Sequence, residues 1–152
     1  DHDEVLKAEV VFCCLGTTIG KAGSKQAFRK VDYEYPFQLA KICLKNGSRQ
    51  FNLITSGGAS SSSRFFYNRV KGDVEAAISG LGYHNLNIYR PSLLLGSRKE
   101  KRKGELLGAG LLKMLDPVLR GSFSKFRAIE AELVAKGMMQ QSKKNIAGGR
   151  IV

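Results

Sequence analysis

The sequence has 152 residues, of which 43% are apolar and 9% aromatic, enough for one folded domain with its own hydrophobic core rather than a disordered chain. No apolar stretch is long enough to cross a bilayer, and the first residues lack the basic and then apolar order of a secretory signal. The three cysteines suggest neither a disulfide framework nor a metal site. We therefore expect a cytoplasmic protein that holds no metal and binds no membrane.

The net charge is +12, from 25 basic and 13 acidic residues, and it is unevenly distributed. Residues 1–76 hold 11 basic against 8 acidic residues, whereas residues 77–152 hold 14 against 5. Such an excess suits a polyanionic partner, an anionic cofactor or simply a solvated surface. The one dense basic run, Arg98–Lys103, has no interleaved aromatic residues, so we do not expect nucleic-acid binding despite the charge.

The first predicted elements are a strand and a long helix. The continuous apolar run Val10–Leu15 is typical of a strand buried on both faces of a parallel sheet, with Cys13 and Cys14 both in the core. Helical spacing of apolar residues then predicts a helix from about residue 24 to residue 46, with an irregularity near Pro36 and a glycine C-cap at Gly47.

The next elements alternate in the same way. Residues 51–56 read as a second strand, and an apolar stripe from Phe66 to Leu81 predicts a helix that the glycines at 80 and 82 end. Residues 86–90 read as a third strand before Pro91. The order β-α-β-α-β predicts right-handed crossovers and a parallel sheet, which is half of a doubly wound α/β fold.

The remaining residues are less regular. We expect a short helix over 104–115, a turn at Asp116-Pro117, a helix over 125–141 and a loose tail. The inward side of the last helix would be apolar, formed by Phe126, Ile129, Leu133, Val134 and Met138.

The ends of the three strands are rich in small and hydroxyl residues. The segments Gly16–Thr18, Thr55–Gly57 and Pro91–Leu93 follow the three predicted strands. Ligands of open parallel sheets bind beyond the carboxyl ends of the strands, so these segments are candidates for a binding site. Each one alone is equally typical of an ordinary strand-to-helix turn.

A tyrosine and a lysine follow the second strand at helical spacing. Tyr67 and Lys71 are four residues apart, so both project from one face of the predicted helix. The pair comes 11 or 12 residues after the hydroxyls of Thr55 and Ser56. Tyr-x-x-x-Lys is a weak motif by itself, and its position between two parallel strands is what gives it weight.

Four segments, in this order, carry a resemblance to a known family. Over about residues 9–98 the sequence closely resembles the Tat-interacting-protein-like oxidoreductases, which are atypical members of the short-chain dehydrogenase/reductase superfamily. The matching segments are Val11–Gly23, Phe51–Leu53, Tyr67–Ala76 with its Tyr-x-x-x-Lys-Gly-x-Val-Glu-Ala pattern, and Arg90–Leu95 with its Arg-Pro-x-Leu-Leu-Leu pattern.

The resemblance implies a Rossmann-type domain over residues 1–152 that binds NADP(H), with NAD(H) as the alternative. Tyr67 would be the general acid/base, Lys71 would favour its ionised form and hold the nicotinamide ribose, and Ser56 or Thr55 would hydrogen-bond a substrate carbonyl. The resemblance implies that the cofactor-binding site is lined by these further residues: Leu15, Gly16, Thr17, Thr18, Pro91, Ser92 and Leu93. The function implied is an oxidoreductase acting on a carbonyl or alcohol.

One expected motif is missing from these residues. No Gly-x-x-Gly-x-x-Gly phosphate loop occurs, and the glycines at 104, 108 and 110 follow no strand. We therefore expect the N-terminal β-α-β phosphate-binding portion to lie outside this sequence. The alternative to an enzyme is a regulatory or interaction protein that senses NADPH without turnover, which leaves protein partners open, and the substrate is not readable from the sequence.

Overall fold

A computed structural model describes residues 6–92, 94–95, 129–144 and 147–152. The strands are β1 Val10–Cys13, β2 Gln50–Ile54, β3 Asn85–Tyr89, β4 Leu94–Leu95, β5 Ile129–Glu130 and β6 Gly148–Ile151. The helices are α1 Ile19–Ala22, α2 Lys25–Arg29, α3 Tyr35–Lys45, α4 Phe66–Ser79 and α5 Ala131–Ser142. The predicted helix over 104–115, the turn at 116–117 and Phe126 lie outside the described residues.

Four of the described strands form one parallel sheet in the order β1-β2-β3-β6. The helical crossovers between consecutive strands make each new strand parallel to the last, as predicted from the β-α-β-α-β order. Strands β4 and β5 form a separate parallel pair. The result is the Rossmann-like α/β arrangement that the sequence indicates.

The core lies between one face of this sheet and helices α3 and α4. Register pairs Phe51 with Leu86 and Leu53 with Ile88, so these four side chains share a face. They pack with buried residues of the two helices, among them Val74. This burial holds α4 against the sheet. It therefore also fixes the position of the side chains in the first turn of α4, which lies near the strand ends.

Helices α2 and α3 are joined by a π-helical turn at Lys30–Glu34, in which the Tyr35 N–H donates to the Lys30 carbonyl. Ser24 caps α2 through its hydroxyl, and Gly47, at φ +90°, follows α3, as the predicted C-cap requires. The predicted irregularity is therefore present, one turn before Pro36. Proline has no N–H to donate to the carbonyl one turn back, and its ring crowds that carbonyl. A wider helical turn before Pro36 relieves this crowding.

The first strand is not buried on both faces, which corrects one prediction. The side chain of Phe12 is 38% exposed, because β1 lies at an edge of the described sheet and this residue points away from α3 and α4. Cys13 points toward the helices and is buried, whereas Cys14 lies beyond the strand end and is exposed. An apolar run therefore predicted the strand but not its edge position.

The C-terminal predictions need two more corrections. Ile129 lies in β5 rather than in the helix, and Leu133 is 60% exposed, while Met138 is buried as predicted. The predicted loose tail instead forms β6, whose backbone pairs with β3. Backbone hydrogen bonds hold this short glycine-containing strand, and they depend little on the side-chain pattern that periodicity reads.

Candidate functional site

The carboxyl ends of β1, β2 and β3 surround a cavity of about 370 Å³. Every predicted site residue lines it except Leu93, which lies outside the described residues. The lining residues are Cys14, Leu15, Gly16, Thr17, Thr18, Ile54, Thr55, Ser56, Tyr67, Lys71, Pro91, Ser92 and Leu94. Three segments far apart in sequence thus meet at one edge of the sheet, as parallel topology requires.

Backbone hydrogen bonds continue past the ends of β2 and β3 and hold the cavity wall in place. The Thr55 N–H donates to the Tyr89 carbonyl at 2.9 Å, and the Gly57 N–H donates to the Pro91 carbonyl at 2.9 Å. The segments after the two strands therefore keep the strand register. This places Ser56 and Pro91 on neighbouring parts of the wall.

Tyr67 and Lys71 lie one turn apart on α4 and face the same cavity. The Tyr67 ring is half-buried and rests on Phe28 of α2, with 5.4 Å between ring centroids. The Lys71 ammonium lies 5.9 Å from the centroid of the Tyr67 ring. Since Lys71 is only 5% exposed, its charge is almost removed from water.

A buried acid that the sequence analysis did not identify compensates this charge. The Lys71 Nζ lies 2.7 Å from Oδ1 of Asp32, which is 1% exposed in the π-helical turn. The other carboxylate oxygen accepts a hydrogen bond of 2.9 Å from the Thr17 backbone N–H. One carboxylate therefore contacts both α4 and the segment after β1.

The two candidate hydroxyls, Thr55 and Ser56, have different surroundings. Thr55 donates to Glu75, which in turn accepts hydrogen bonds from Arg90. Hydrogen bonding to Glu75 raises the pKa of Arg90 above its ordinary value, so this guanidinium stays charged. Ser56 Oγ is buried at the cavity and has no hydrogen-bond partner among the described residues.

The thiol beside the cavity is not activated. Partial shielding from water raises the pKa of the Cys14 thiol, and fuller burial raises the pKa values of Cys13 and Cys43. A raised thiol pKa keeps sulfur protonated at neutral pH and lowers its nucleophilicity. The described residues also contain no cluster of His, Cys, Asp and Glu placed to hold a metal ion.

A second cavity of about 510 Å³ adjoins the first and shares Pro91 and Ser92 with it. Its far wall comes from α5, which contributes Leu133, Val134 and Gln140, and its base includes Tyr89. Pro91 and Ser92 therefore lie between the two cavities.

No family model matches the sequence, but curated proteins do. The protein HTATIP2 of Rattus norvegicus is 46% identical over 99 residues, which are 65% of this chain and 40% of that protein. The mitochondrial protein FMP52 of Candida albicans is 34% identical over 147 residues, which are 95% of this chain and 63% of that protein. The chain thus spans between two fifths and two thirds of the length of these two relatives.

Solved structures share the fold at low sequence identity. MoeE5 in complex with UDP-glucose and NAD has a TM-score of 0.72 at 10% identity, and the match covers 100% of this chain and 58% of that one. RMD from Pseudomonas aeruginosa complexed with NADPH has a TM-score of 0.67 at 13% identity, covering 95% of this chain and 59% of that one. At such identities the likeness establishes the Rossmann-like fold.

The relatives also overturn the predicted cytoplasmic location. The FMP52 proteins of Candida albicans, Emericella nidulans and Aspergillus niger are all named as mitochondrial. That prediction rested on the cysteine pattern and on the missing secretory signal, and neither feature distinguishes the cytoplasm from mitochondria. Among the described residues, no helix has the length and apolar character to cross a membrane.

Sequence and fold agree on the relationship. The match to HTATIP2 and to FMP52 covers the segments that bring Tyr67 and Lys71 to the cavity, and MoeE5 and RMD share the Rossmann-like fold. This chain is a homologue of the HTATIP2 and FMP52 proteins, and its fold is Rossmann-like.

Proposed function

We propose that this chain carries the catalytic part of an NAD(P)(H)-dependent oxidoreductase that interconverts a carbonyl and an alcohol. The observation that carries the proposal is the convergence of Tyr67, Lys71 and Ser56 on one cavity beyond the carboxyl ends of three parallel strands. Two fold neighbours are described as complexes with NAD and with NADPH, which supports a nicotinamide cofactor without choosing between the two.

The cavity suits the nicotinamide end of such a cofactor. A volume of about 370 Å³ lies within the usual range of roughly 300–1,000 Å³ for small-molecule pockets. Its walls combine apolar surface at Leu15 and Pro91 with the polar groups of Thr17 and Ser92. The unpartnered buried hydroxyl of Ser56 is the sign of a missing polar ligand, because buried polar groups are normally hydrogen-bonded.

Each residue has a role that its surroundings support. When bound, the nicotinamide supplies a hydride to the substrate carbon or accepts one from it. Ser56 donates a hydrogen bond to the carbonyl oxygen as negative charge develops there, and Tyr67 delivers the proton that neutralises this oxygen. Lys71 holds the nicotinamide ribose from the same face of α4.

Thr55 has a structural role in this proposal. Its hydroxyl donates its hydrogen bond to Glu75, so it cannot donate one to a substrate in this arrangement. The Glu75 and Arg90 pair ties α4 to the end of β3 and so holds the wall at Pro91. Of the two hydroxyls predicted for the substrate carbonyl, the surroundings favour Ser56.

The substrate is proposed to occupy the adjoining cavity of about 510 Å³. Its wall is aliphatic at Ile129, Leu133 and Val134, and the lining also includes two amide side chains and two basic residues, Gln140, Gln141, Arg90 and Lys144. Such a lining suits a carbonyl compound with an apolar part and a polar or anionic group.

The test begins with calorimetric titration of the purified protein with NADPH and, separately, NADH. Tyr67→Phe removes the proton donor but keeps the ring against Phe28, so we expect turnover to fall by roughly 10²–10⁴-fold while cofactor affinity stays within about threefold. Tyr35→Phe is the matched control, because Tyr35 is 47% exposed and does not line the cavity.

Other outcomes separate the alternatives. Turnover that survives Tyr67→Phe removes this residue from the mechanism. Cofactor binding without turnover of any carbonyl or alcohol tested favours a protein that senses the cofactor. Because the phosphate-binding portion is expected to lie outside this sequence, the titration is repeated on a longer protein that includes that portion, and failure of this longer protein to bind either nucleotide refutes the cofactor part of the proposal.

A further inference from the structure

The buried carboxylate of Asp32 lies where two parts of the cavity wall meet. Along α2, the π-helical turn and the first part of α3, the buried positions recur at every fourth residue, namely Phe28, Asp32, Pro36 and Ala40. In a regular helix each step of four residues drifts by about 40°, and the wider π-helical turn absorbs part of that drift. The turn therefore keeps Asp32 on the inward stripe of the helix.

The two oxygens of this carboxylate have different partners. Oδ1 lies 2.7 Å from the Lys71 ammonium, and Oδ2 accepts the Thr17 N–H at 2.9 Å. Lys71 belongs to α4, whereas Thr17 belongs to the segment after β1. The carboxylate consequently sets the distance between the lysine and the backbone that lines the opposite side of the cavity.

The approach of these groups leaves no room for another side chain. A Cβ atom placed on Gly16 would lie 3.2 Å from Asp32 Oδ1 and 3.4 Å from Lys71 Nζ. Glycine at this position allows the segment after β1 to come close to the ion pair. The ion pair and the cofactor-facing backbone thus form one packed unit.

Electrostatics explains why the lysine needs this partner. The Lys71 side chain is 7% exposed and that of Asp32 is 0% exposed, and an isolated buried charge is strongly unfavourable. The carboxylate compensates the ammonium and leaves its remaining N–H bonds for a ligand in the cavity. Removing the carboxylate would free the lysine to turn toward water.

We propose that Asp32 is a positioning residue, which holds the Lys71 ammonium and the Thr17 N–H in the arrangement that receives cofactor and substrate. The inference rests on the proposed oxidoreductase function. It adds to the Tyr, Lys and Ser set a carboxylate that acts only through Lys71 and the segment after β1.

A double-mutant cycle tests the proposal in the purified protein. The variants are Asp32→Asn, Lys71→Met, the two combined, and Asp73→Asn as matched control. Asp73 also lies on α4 and also pairs with a basic residue, Arg29 at 3.0 Å, but it does not line the cavity. Turnover, NADPH and NADH affinity and the thermal unfolding midpoint are measured for each.

If Asp32 acts through Lys71, Asp32→Asn lowers turnover by about tenfold or more and weakens cofactor binding. In the Lys71→Met background the same substitution changes turnover by less than about twofold, because its target is gone. Asp73→Asn stays within about twofold of the original protein. Losses that multiply in the double variant, or an Asp32→Asn variant with full turnover and affinity, overturn the proposal.

Two further measurements keep the outcome decisive. If Asp32→Asn does not fold, Gly16→Ala displaces the carboxylate without removing its charge, and unchanged turnover and cofactor affinity in that variant overturn the proposal. If a longer protein that includes the expected phosphate-binding portion neither binds the nucleotides nor turns over, the proposed function has failed by itself. The unfolding midpoints then decide whether Asp32 and Lys71 are coupled, and strictly additive shifts contradict the pairing.

Discussion

The two faces of β2 and β3 are both buried, but one carries apolar side chains and the other carries amide side chains. Toward α3 and α4, β2 and β3 present the apolar side chains Phe51, Leu53, Leu86 and Ile88, all nearly inaccessible to water. On the opposite face the same strands present Gln50, Asn52, Asn85 and Asn87, which are also buried. Parallel strands covered on both faces are usually apolar throughout, so the amide face is the exception.

The amide face is held by directional bonds that converge on Asn52. Its Oδ1 accepts from Asn87 Nδ2 at 2.9 Å, Gln50 Nε2 at 3.3 Å and the Tyr89 hydroxyl at 3.4 Å. Its own Nδ2 donates to the Val11 carbonyl at 3.1 Å. The apolar face is stabilised by the amount of surface that it buries, whereas the amide face depends on every partner being present.

The largest expected effect comes from the apolar face. Phe51→Ala leaves a cavity under the two helices, so we expect the free energy of unfolding to fall by about 3–5 kcal/mol. Phe65→Ala is the control, because that ring is 74% exposed, and it should change stability by no more than about 0.5 kcal/mol. Urea unfolding of both variants measures the difference, and equal losses would contradict the assignment of the core.

Substitutions on the amide face should lower the free energy of unfolding by less than Phe51→Ala, and their effects should not simply add. Asn52→Leu removes the acceptor of three buried donors, of which only the Asn87 amide, at 2.9 Å, makes a short hydrogen bond, so we expect a cost of about 1–3 kcal/mol from that bond. Adding Asn87→Leu removes one of these orphaned groups, so the double variant should lose less than the sum of the two single variants. A simple sum would mean that the two amides are independent.

The same contrast explains how far the sequence could predict the fold. The apolar residues of β2, β3 and α4 lie at strand or helix spacing, and burial follows such spacing closely, so these elements were identified. Phe12 is as apolar as its neighbours, and only the sheet order shows that its strand lies at an edge of the described sheet. Strand β6 is held by backbone pairing and carries little side-chain signal.

The residues of the candidate site also differ in how far the sequence could predict them. Tyr67 and Lys71 were found because their spacing on a helix after a parallel strand is a local pattern. Asp32 was missed because an acid between aromatic and aliphatic residues usually marks a solvated helix face. Its place in the buried every-fourth stripe with Phe28 and Pro36 was the available signal, but its partner Lys71 is 39 positions away, a contact that only the fold brings together.

The smallest expected effect is at Tyr83, whose side chain combines an apolar contact with a buried hydrogen bond. Its ring packs against Phe51, with centroids 5.2 Å apart, while its hydroxyl donates to the Ala40 carbonyl at 2.6 Å. Tyr83→Phe keeps the apolar contact and removes only the hydrogen bond, so we expect a loss of about 1 kcal/mol at neutral pH. Urea unfolding should show it, with Tyr35→Phe, at an exposed ring, as the unaffected control.

The pH dependence of that loss separates the hydrogen bond from the packing. Burial raises the pKa of Tyr83 above its ordinary value of about 10, so above that pH the unfolded chain releases this proton before the folded one does. The folded state then binds more protons than the unfolded state, and stability falls as the pH rises. Tyr83→Phe removes this contribution, so the deficit of the variant should shrink above about pH 10. A deficit that stays constant through the alkaline range would mean that the hydroxyl ionises equally in both states, which would contradict the raised pKa of Tyr83 in the folded protein.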